Sequence, residues 1–165
     1  MRALIQRPVL VVLFGLLLST ATAAQHHPTS TSQRARPLLG PQAGLATHDF
    51  DFFIGGQFSY PVANQIDVYP SLDIYFPGNN VSAWGLDAEV RYWPKLSKAN
   101  AGLYVGGGLD YTHASAGGAS SSDAGLGLLG GWDFKTVSWR PFAQLRIVIG
   151  DADRIEFGGG VNFKL

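Results

Sequence analysis

The chain has 165 residues, with 12 basic and 12 acidic side chains and no cysteine. These figures exclude a disulfide-stabilised scaffold, a thiolate metal site and a strongly basic nucleic-acid-binding protein. The hydrophobic fraction of 46% is sufficient for one folded domain, and the 21 glycines spread through the chain disfavour helices.

The first 24 residues have the organisation of a secretory signal peptide. Arg2 and Arg7 precede an apolar run over 9–18, and small residues allow cleavage after Ala23 or Ala24. The apolar run is shorter than the roughly 20 residues that a membrane-spanning helix requires. We therefore expect residues 1–24 to direct export and to be removed.

Residues 25–37 form a polar segment with two prolines and no periodicity, which predicts a disordered tail. His26 and His27 lie close to the amine that cleavage would free. Amine and imidazole nitrogens can provide the square-planar ligand set that Cu(II) and Ni(II) prefer. An incidental polar tail is the commoner explanation, so neither a metal site nor a cofactor is predicted.

From residue 38 onward, apolar and polar residues alternate with a period of two, which is typical of half-buried strands. Eight runs show this pattern, over residues 39–47, 50–60, 65–76, 82–93, 101–112, 123–134, 139–149 and 154–165. Turn-forming residues separate them, notably at 61–64, 77–80, 94–100 and 151–153. Pro41 weakens the first run because it lacks a backbone donor. The pattern predicts an all-β fold, an eight-stranded antiparallel up-and-down β-barrel, whose closure leaves no strand edge exposed.

Alternation leaves open which face of the barrel is inside. A soluble lipocalin-like barrel would bury the apolar face around a small ligand, whereas a transmembrane barrel would turn it towards lipid. The export signal and the run lengths, close to the about 9–11 residues of a spanning strand, favour the membrane. Aromatic residues near run ends also resemble interfacial girdles: Tyr60, Phe76, Trp84, Tyr92, Trp93, Tyr111, Trp132, Phe134, Trp139 and Phe163.

Folding adjacent runs about their turns predicts ion pairs across the polar, inward face. The three pairs are Asp67 with Arg91, Asp133 with Arg140, and Arg146 with Glu156. The same face carries four further acids, namely Asp73, Asp87, Glu89 and Asp110. Any conduction would therefore favour cations. Eight strands enclose a space that side chains can fill, and we expect a closed interior. Solvated surface pairs are the alternative.

The C-terminal segment resembles the terminal signal of bacterial outer-membrane proteins. Gly160, Phe163 and Leu165 carry this resemblance, although such chains usually end in Phe. Together with glycine-rich segments at 53–56, 104–109 and 158–163, the region 38–165 resembles the small OmpA/OmpX-like outer-membrane barrel family. The resemblance implies contact with outer-membrane lipid, insertion by the barrel assembly machinery through the C-terminal strand, and periplasmic termini. It implies no ligand.

With periplasmic termini, outward loops are expected at about 48–50, 77–81, 113–122 and 150–153, the third being the longest. In that loop His113 and Ser115 resemble the pair of outer-membrane lipid A deacylases, and Asp110 or Asp123 is available to orient the histidine. The rest of the deacylase motif is absent, so no enzymatic activity is expected.

The sequence therefore predicts a structural or weakly porin-like barrel of a Gram-negative outer membrane, with no nucleic-acid partner. A lipid-modifying enzyme at the rim and a soluble small-ligand binder remain alternatives. The oligomeric state stays open.

Overall fold

The computed structural model describes residues 36–47, 51–78, 81–95, 102–134, 139–150 and 153–165. The chain divides into two units, Met1–Gln33 and Arg34–Leu165, and all described residues belong to the second. The predicted signal peptide and the predicted tail up to residue 35, including His26 and His27, therefore lie outside the described residues.

Eight strands follow one another along the chain. They are β1 (Leu38–Ala46), β2 (Asp51–Ala63), β3 (Ile66–Phe76), β4 (Ser82–Tyr92), β5 (Leu103–Ala116), β6 (Ala119–Asp133), β7 (Trp139–Gly150) and β8 (Arg154–Lys164). Each strand pairs with the next in antiparallel register, and β8 pairs with β1 to close the barrel. This topology confirms the predicted eight-stranded up-and-down barrel. Within the described ranges, no helix is long and apolar enough to cross a membrane.

The polar faces of the strands point into the barrel, and the apolar faces point out. On β4, Asp87, Glu89 and Arg91 are at most 1% exposed, whereas Leu86 and Val90 are 49% and 50% exposed. The period of two therefore separates the two environments as predicted. A lipocalin-like binder would need the opposite arrangement, with the apolar side chains inside.

The β5–β6 hairpin corrects the prediction of a long loop at 113–122. These residues continue the two strands, and only Gly117 and Gly118 form the turn. Their φ angles are 56° and 89°, the left-handed conformations that a two-residue type I′ turn requires and that glycine adopts without steric cost. The Ser, Ala and Gly composition that suggested a loop does not prevent strand pairing.

Two prolines lie inside strands and locally disturb the ladder. Pro41 pairs with Gly56 on β2, while the ladder to β8 is interrupted at this point, because proline cannot donate a backbone hydrogen bond. Pro61 was expected to begin a turn at 61–64, but β2 continues to Ala63 with a shift of register after the proline.

Candidate functional site

The inward-facing side chains fill the barrel, and we describe this interior in two parts. The terminal half surrounds Arg91 and Arg140, near the end of the barrel where β1 begins and β8 ends. The hairpin half surrounds Arg146 and Arg154, towards the end that carries the β5–β6 turn. Six of the largest fully buried side chains are Arg91, Arg146, Tyr69, Tyr104, Phe53 and Gln57.

In the terminal half, Arg91 binds Asp67 through two parallel hydrogen bonds. Arg91 Nε donates to Oδ1 at 3.1 Å and Nη2 donates to Oδ2 at 2.7 Å, from directly opposite positions on β3 and β4. Ser59 Oγ also donates to Asp67 Oδ2, at 2.6 Å. The Arg91 guanidinium lies 3.7 Å above the centre of the Tyr69 ring. This geometry pairs the two charges and places the flat face of the cation on an aromatic ring.

The second pair of the terminal half is Arg140 with Asp133, in a register different from the predicted one. Arg140 Nη2 lies 2.9 Å from Asp133 Oδ2, and Nε donates to Oδ1 at 3.0 Å. The residue directly opposite Asp133 is Phe142, two positions beyond Arg140. The arginine therefore reaches the acid along a diagonal of the ladder, which its long side chain can span.

Trp93 closes the terminal half. The prediction that it belongs to the outer aromatic girdle is wrong. Its ring centre lies 4.9 Å from that of Tyr104, a residue that is fully buried. The guanidinium groups of Arg91 and Arg140 lie 5.3 Å and 5.7 Å from the same indole ring. Trp93 has the sequence parity of Arg91, so alternation assigns it to the inner face.

In the hairpin half, Arg146 is surrounded by four acids. Its Nε and Nη2 donate to Oε1 and Oε2 of Glu89 at 2.9 Å and 3.1 Å. Its Nη1 lies 2.9 Å from Glu156 Oε2, 3.1 Å from Asp87 Oδ2 and 3.8 Å from Asp73 Oδ2. Only Glu156, the directly opposite residue on β8, was the predicted partner. The other three acids reach Arg146 from β3 and β4, across the interior.

Arg154 is a functional residue that the sequence analysis missed. Its Nε donates to Glu156 Oε1 at 2.7 Å, and the guanidinium also forms an ion pair with Asp110. Tyr75 donates its hydroxyl hydrogen to the same Glu156 oxygen, at 2.7 Å. The signal was present, because residues 154 and 156 have the same parity and therefore share a face.

Two amide side chains connect the halves. Gln144 Nε2 donates to Gln42 Oε1 at 3.3 Å, and Gln42 Nε2 donates to Asp73 Oδ1 at 2.7 Å. On the other side, Tyr104 donates to Gln144 Oε1 at 3.2 Å. The interior is therefore one polar network, closed at the hairpin end by packing of Phe53 on Tyr75, with ring centres 5.7 Å apart.

The interior is not arranged as a metal site. Within the part of the chain that the structure describes, no group of three or more histidine or carboxylate side chains is placed to hold a metal ion. The chemistry that the arrangement supports is ion pairing and proton binding among buried carboxylates and guanidinium groups.

The proposed pair of His113 and Ser115 is not formed. His113 lies directly opposite Ser122, and its Nδ1 is 2.9 Å from Ser122 Oγ. Ser115 Oγ instead donates to the Ser82 carbonyl oxygen at 3.5 Å.

Neither acid that was expected to orient His113 is placed to do so. Asp110 is buried inside the barrel against Arg154, and Asp123 pairs with Thr112 on the inner face. His113 lies on the outer face, where Trp84 packs against it with ring centres 5.8 Å apart.

The C-terminal residues lie at the closure between β1 and β8. Phe163 and Leu165 are 50% and 60% exposed on the outside, and the Leu165 amide donates to the Pro37 carbonyl oxygen at 3.0 Å. A Cβ atom on Gly160 would clash with the carbonyl oxygen of Pro41. Glycine is therefore required there by the close approach of the two strands.

Comparison with known proteins identifies the fold. No protein-family model and no curated protein matches the sequence. The N-terminal β-barrel domain of Pseudomonas aeruginosa OprF is 18% identical, covering 78% of this chain and 97% of that domain, with a TM-score of 0.61.

Two other solved structures give similar values. Neisserial surface protein A is 18% identical over 78% of this chain and 96% of its own, with a TM-score of 0.59. The attachment invasion locus protein Ail of Yersinia pestis is 14% identical over 79% and 97%, with a TM-score of 0.50. The chain therefore has the fold of the small OmpA/OmpX-like outer-membrane barrels.

Proposed function

We propose that the chain is an envelope-stabilising barrel that spans a bacterial outer membrane, after export directed by residues 1–24. One observation carries this proposal, namely the inverted polarity of the barrel. Leu128 and Phe157 are 56% and 63% exposed, whereas Asp73 and Arg91 are fully buried. Contact with lipid makes such an outer face favourable, whereas contact with water would make it costly. The likeness to outer-membrane barrels supports the same location.

The filled interior favours a structural role over a pore. Ion pairs of Arg146 tie β7 to β3 and β4, so they brace strands that are not neighbours in the sheet. The proposed partners are outer-membrane lipid and the assembly machinery, the latter recognising Gly160, Phe163 and Leu165 on the C-terminal strand. No enzymatic activity forms part of this role.

A pair of arginine substitutions tests the membrane location. Leu86→Arg places a charge in the middle of the outer face of β4, where lipid contact makes it unfavourable by about 2–4 kcal/mol. Ile66→Arg is the matched control, because Ile66 is the first residue of β3 and lies at the end of the barrel. Near the interface the same charge costs at most about 1 kcal/mol.

The readout is the fraction of protein that is folded in the outer-membrane fraction, measured by the change in gel migration on boiling. We expect a clear loss for Leu86→Arg and little loss for Ile66→Arg. Equal and full recovery of both variants as soluble periplasmic protein would refute the membrane location.

Conductance across planar bilayers separates the structural role from a porin-like one. The closed interior predicts no steady current for the reconstituted chain. A current with cation preference, increased by Trp93→Ala at the closed terminal half, would instead support a weak porin.

A lipid-acting hydrolase at the rim is a second candidate function, which the contact between His113 and Ser122 favours. Ser122 Oγ accepts a hydrogen bond from the Tyr111 hydroxyl at 3.1 Å and lies 2.9 Å from His113 Nδ1. A serine next to a histidine base is the minimum arrangement for acyl transfer. Long-chain esters in mixed micelles test it: Ser122→Ala should abolish hydrolysis and Ser115→Ala should preserve it. An inactive wild-type barrel would reject this candidate.

A further inference from the structure

The hairpin half of the interior contains more acid than base. Two guanidinium groups, those of Arg146 and Arg154, face five buried carboxyl groups: Asp73, Asp87, Glu89, Asp110 and Glu156. None of these five acids is more than 4% exposed. Five carboxylates against two cations would leave three uncompensated negative charges, which a buried environment strongly disfavours.

The excess is concentrated where Asp87 meets Asp110. The two residues are direct partners on β4 and β5, and both side chains face the interior. Directly opposite residues in an antiparallel pair have Cβ atoms about 4.5–5.5 Å apart, so the carboxyl groups at these two positions are close neighbours. An ionised carboxylate is only an acceptor, and two facing carboxylates would repel each other without a hydrogen bond.

The oxygens of Asp110 and one oxygen of Asp87 already have partners. Asp110 receives hydrogen bonds from Arg154 and Thr112. Asp87 Oδ2 receives one from Ser71 at 2.9 Å and lies 3.1 Å from Arg146 Nη1. Asp87 Oδ1 is buried and has no hydrogen-bond donor among the described residues. This atom is therefore the one that requires a proton or a donor.

The remaining groups around the pair add more negative than positive charge. β3 contributes Asp73 and Tyr75, β4 contributes Glu89, β7 contributes Arg146, and β8 contributes Arg154 and Glu156. β6 offers Gly125 and Gly127 opposite this part of β5, and its nearest acid is Asp123. One bound proton is sufficient to remove the like-charge contact between Asp87 and Asp110.

We propose that Asp87 and Asp110 share one proton in the folded barrel at neutral pH. One carboxyl group, in its protonated form, donates to an oxygen of the other, which remains ionised, so a single hydrogen bond replaces a like-charge contact. The register places both buried side chains on the inner face at directly opposite positions, from which one can donate to the other. The bound proton removes one of the three uncompensated negative charges of the hairpin half, whereas Asp67 and Asp133 of the terminal half are each paired with an arginine.

Infrared spectroscopy of the full-length barrel in lipid vesicles tests this assignment. A protonated carboxyl group has a C=O stretching band that is separate from the carboxylate bands, and we expect this band at pH 7. Asp87→Asn and Asp110→Asn should each remove the intensity of one carboxyl group, because either substitution leaves the other acid free to ionise beside an arginine. Asp133→Asn, which removes an acid paired with Arg140, is the control and should leave the band unchanged.

Three results would overturn the proposal. The first is the absence of the band in the wild-type barrel at pH 7. The second is loss of the band in Asp87→Asn with full retention in Asp110→Asn, which would mean that Asp87 holds its proton alone. The third is disappearance of the band on addition of Ca²⁺ or Mg²⁺, which would identify a metal ion as the occupant. A denaturant series on the same variants confirms that each is folded when its spectrum is taken.

Discussion

The two halves of the barrel interior have the same backbone architecture but differ in how their charged side chains are paired. In the terminal half, two arginines face two acids, and each ion pair joins neighbouring strands. In the hairpin half, two arginines face five acids, and Arg146 reaches across the interior to β3 and β4. The terminal half therefore holds two separate ion pairs, whereas the ion pairs of the hairpin half form a single network that depends on closure of the whole barrel.

The largest effect is expected for Arg146→Met. The substitution leaves four buried acids without their shared cation, so the free energy of unfolding should fall by at least about 3–5 kcal/mol, the loss typical of breaking one buried pair. Urea titration of the barrel in vesicles, followed by tryptophan fluorescence, measures this loss. Arg146→Lys keeps the charge but not the planar fork, so its free energy of unfolding should lie between those of the wild-type barrel and Arg146→Met. A loss no larger than that of Arg91→Met would contradict a shared network.

The next prediction compares the two halves by asking whether a second substitution restores the stability that the first one removes. Arg91→Met should cost about 3 kcal/mol, because Asp67 is left buried without its cation. Adding Asp67→Asn should restore most of that loss, since both charges are then gone. Removing the Glu156 carboxylate in the Arg146→Met variant should restore little of the lost stability, because three other acids remain. Double-mutant cycles in urea give both coupling energies, and equal rescue in the two halves would remove the distinction.

The smallest effect concerns the aromatic closure of the terminal half. Trp93→Leu removes the indole ring that lies against Arg91 and Arg140, so we expect a loss of about 0.5–2 kcal/mol. Trp139→Leu is the control, because Trp139 is 49% exposed on the outer face of the barrel. A larger loss for Trp139 would place the main contribution at the outer surface.

Alternation in the sequence was sufficient to predict the strands, whereas the assignment of the inner face also needed the export signal and the run lengths. It also predicted the register of two hairpins, since Asp67 lies opposite Arg91 and Arg146 lies opposite Glu156. Short connections define the point about which two strands fold, and this is the information that pairwise register needs. At β6–β7 the predicted opposition of Asp133 and Arg140 was wrong by two residues, because Asp133 lies opposite Phe142.

Contacts across the barrel could not be predicted in the same way. Glu89 and Arg146 lie on strands that do not pair, and their approach depends on the stagger of all eight strands at closure. Composition misled at residues 113–122, where small residues suggested a loop but strand pairing continued. Trp93 was misassigned because its residue type was given more weight than its parity.

The outward apolar face has a consequence for how such a sequence can diverge. Lipid accepts any large apolar side chain, so exchanges among Leu, Ile, Val and Phe at positions such as Leu86 or Ile147 leave the outer face equivalent. About every second residue of each strand must therefore be apolar, but which apolar residue it is matters little. The same fold is found in OprF, NspA and Ail at only 14–18% identity. It also makes the outer face the region that a designer can rewrite most freely.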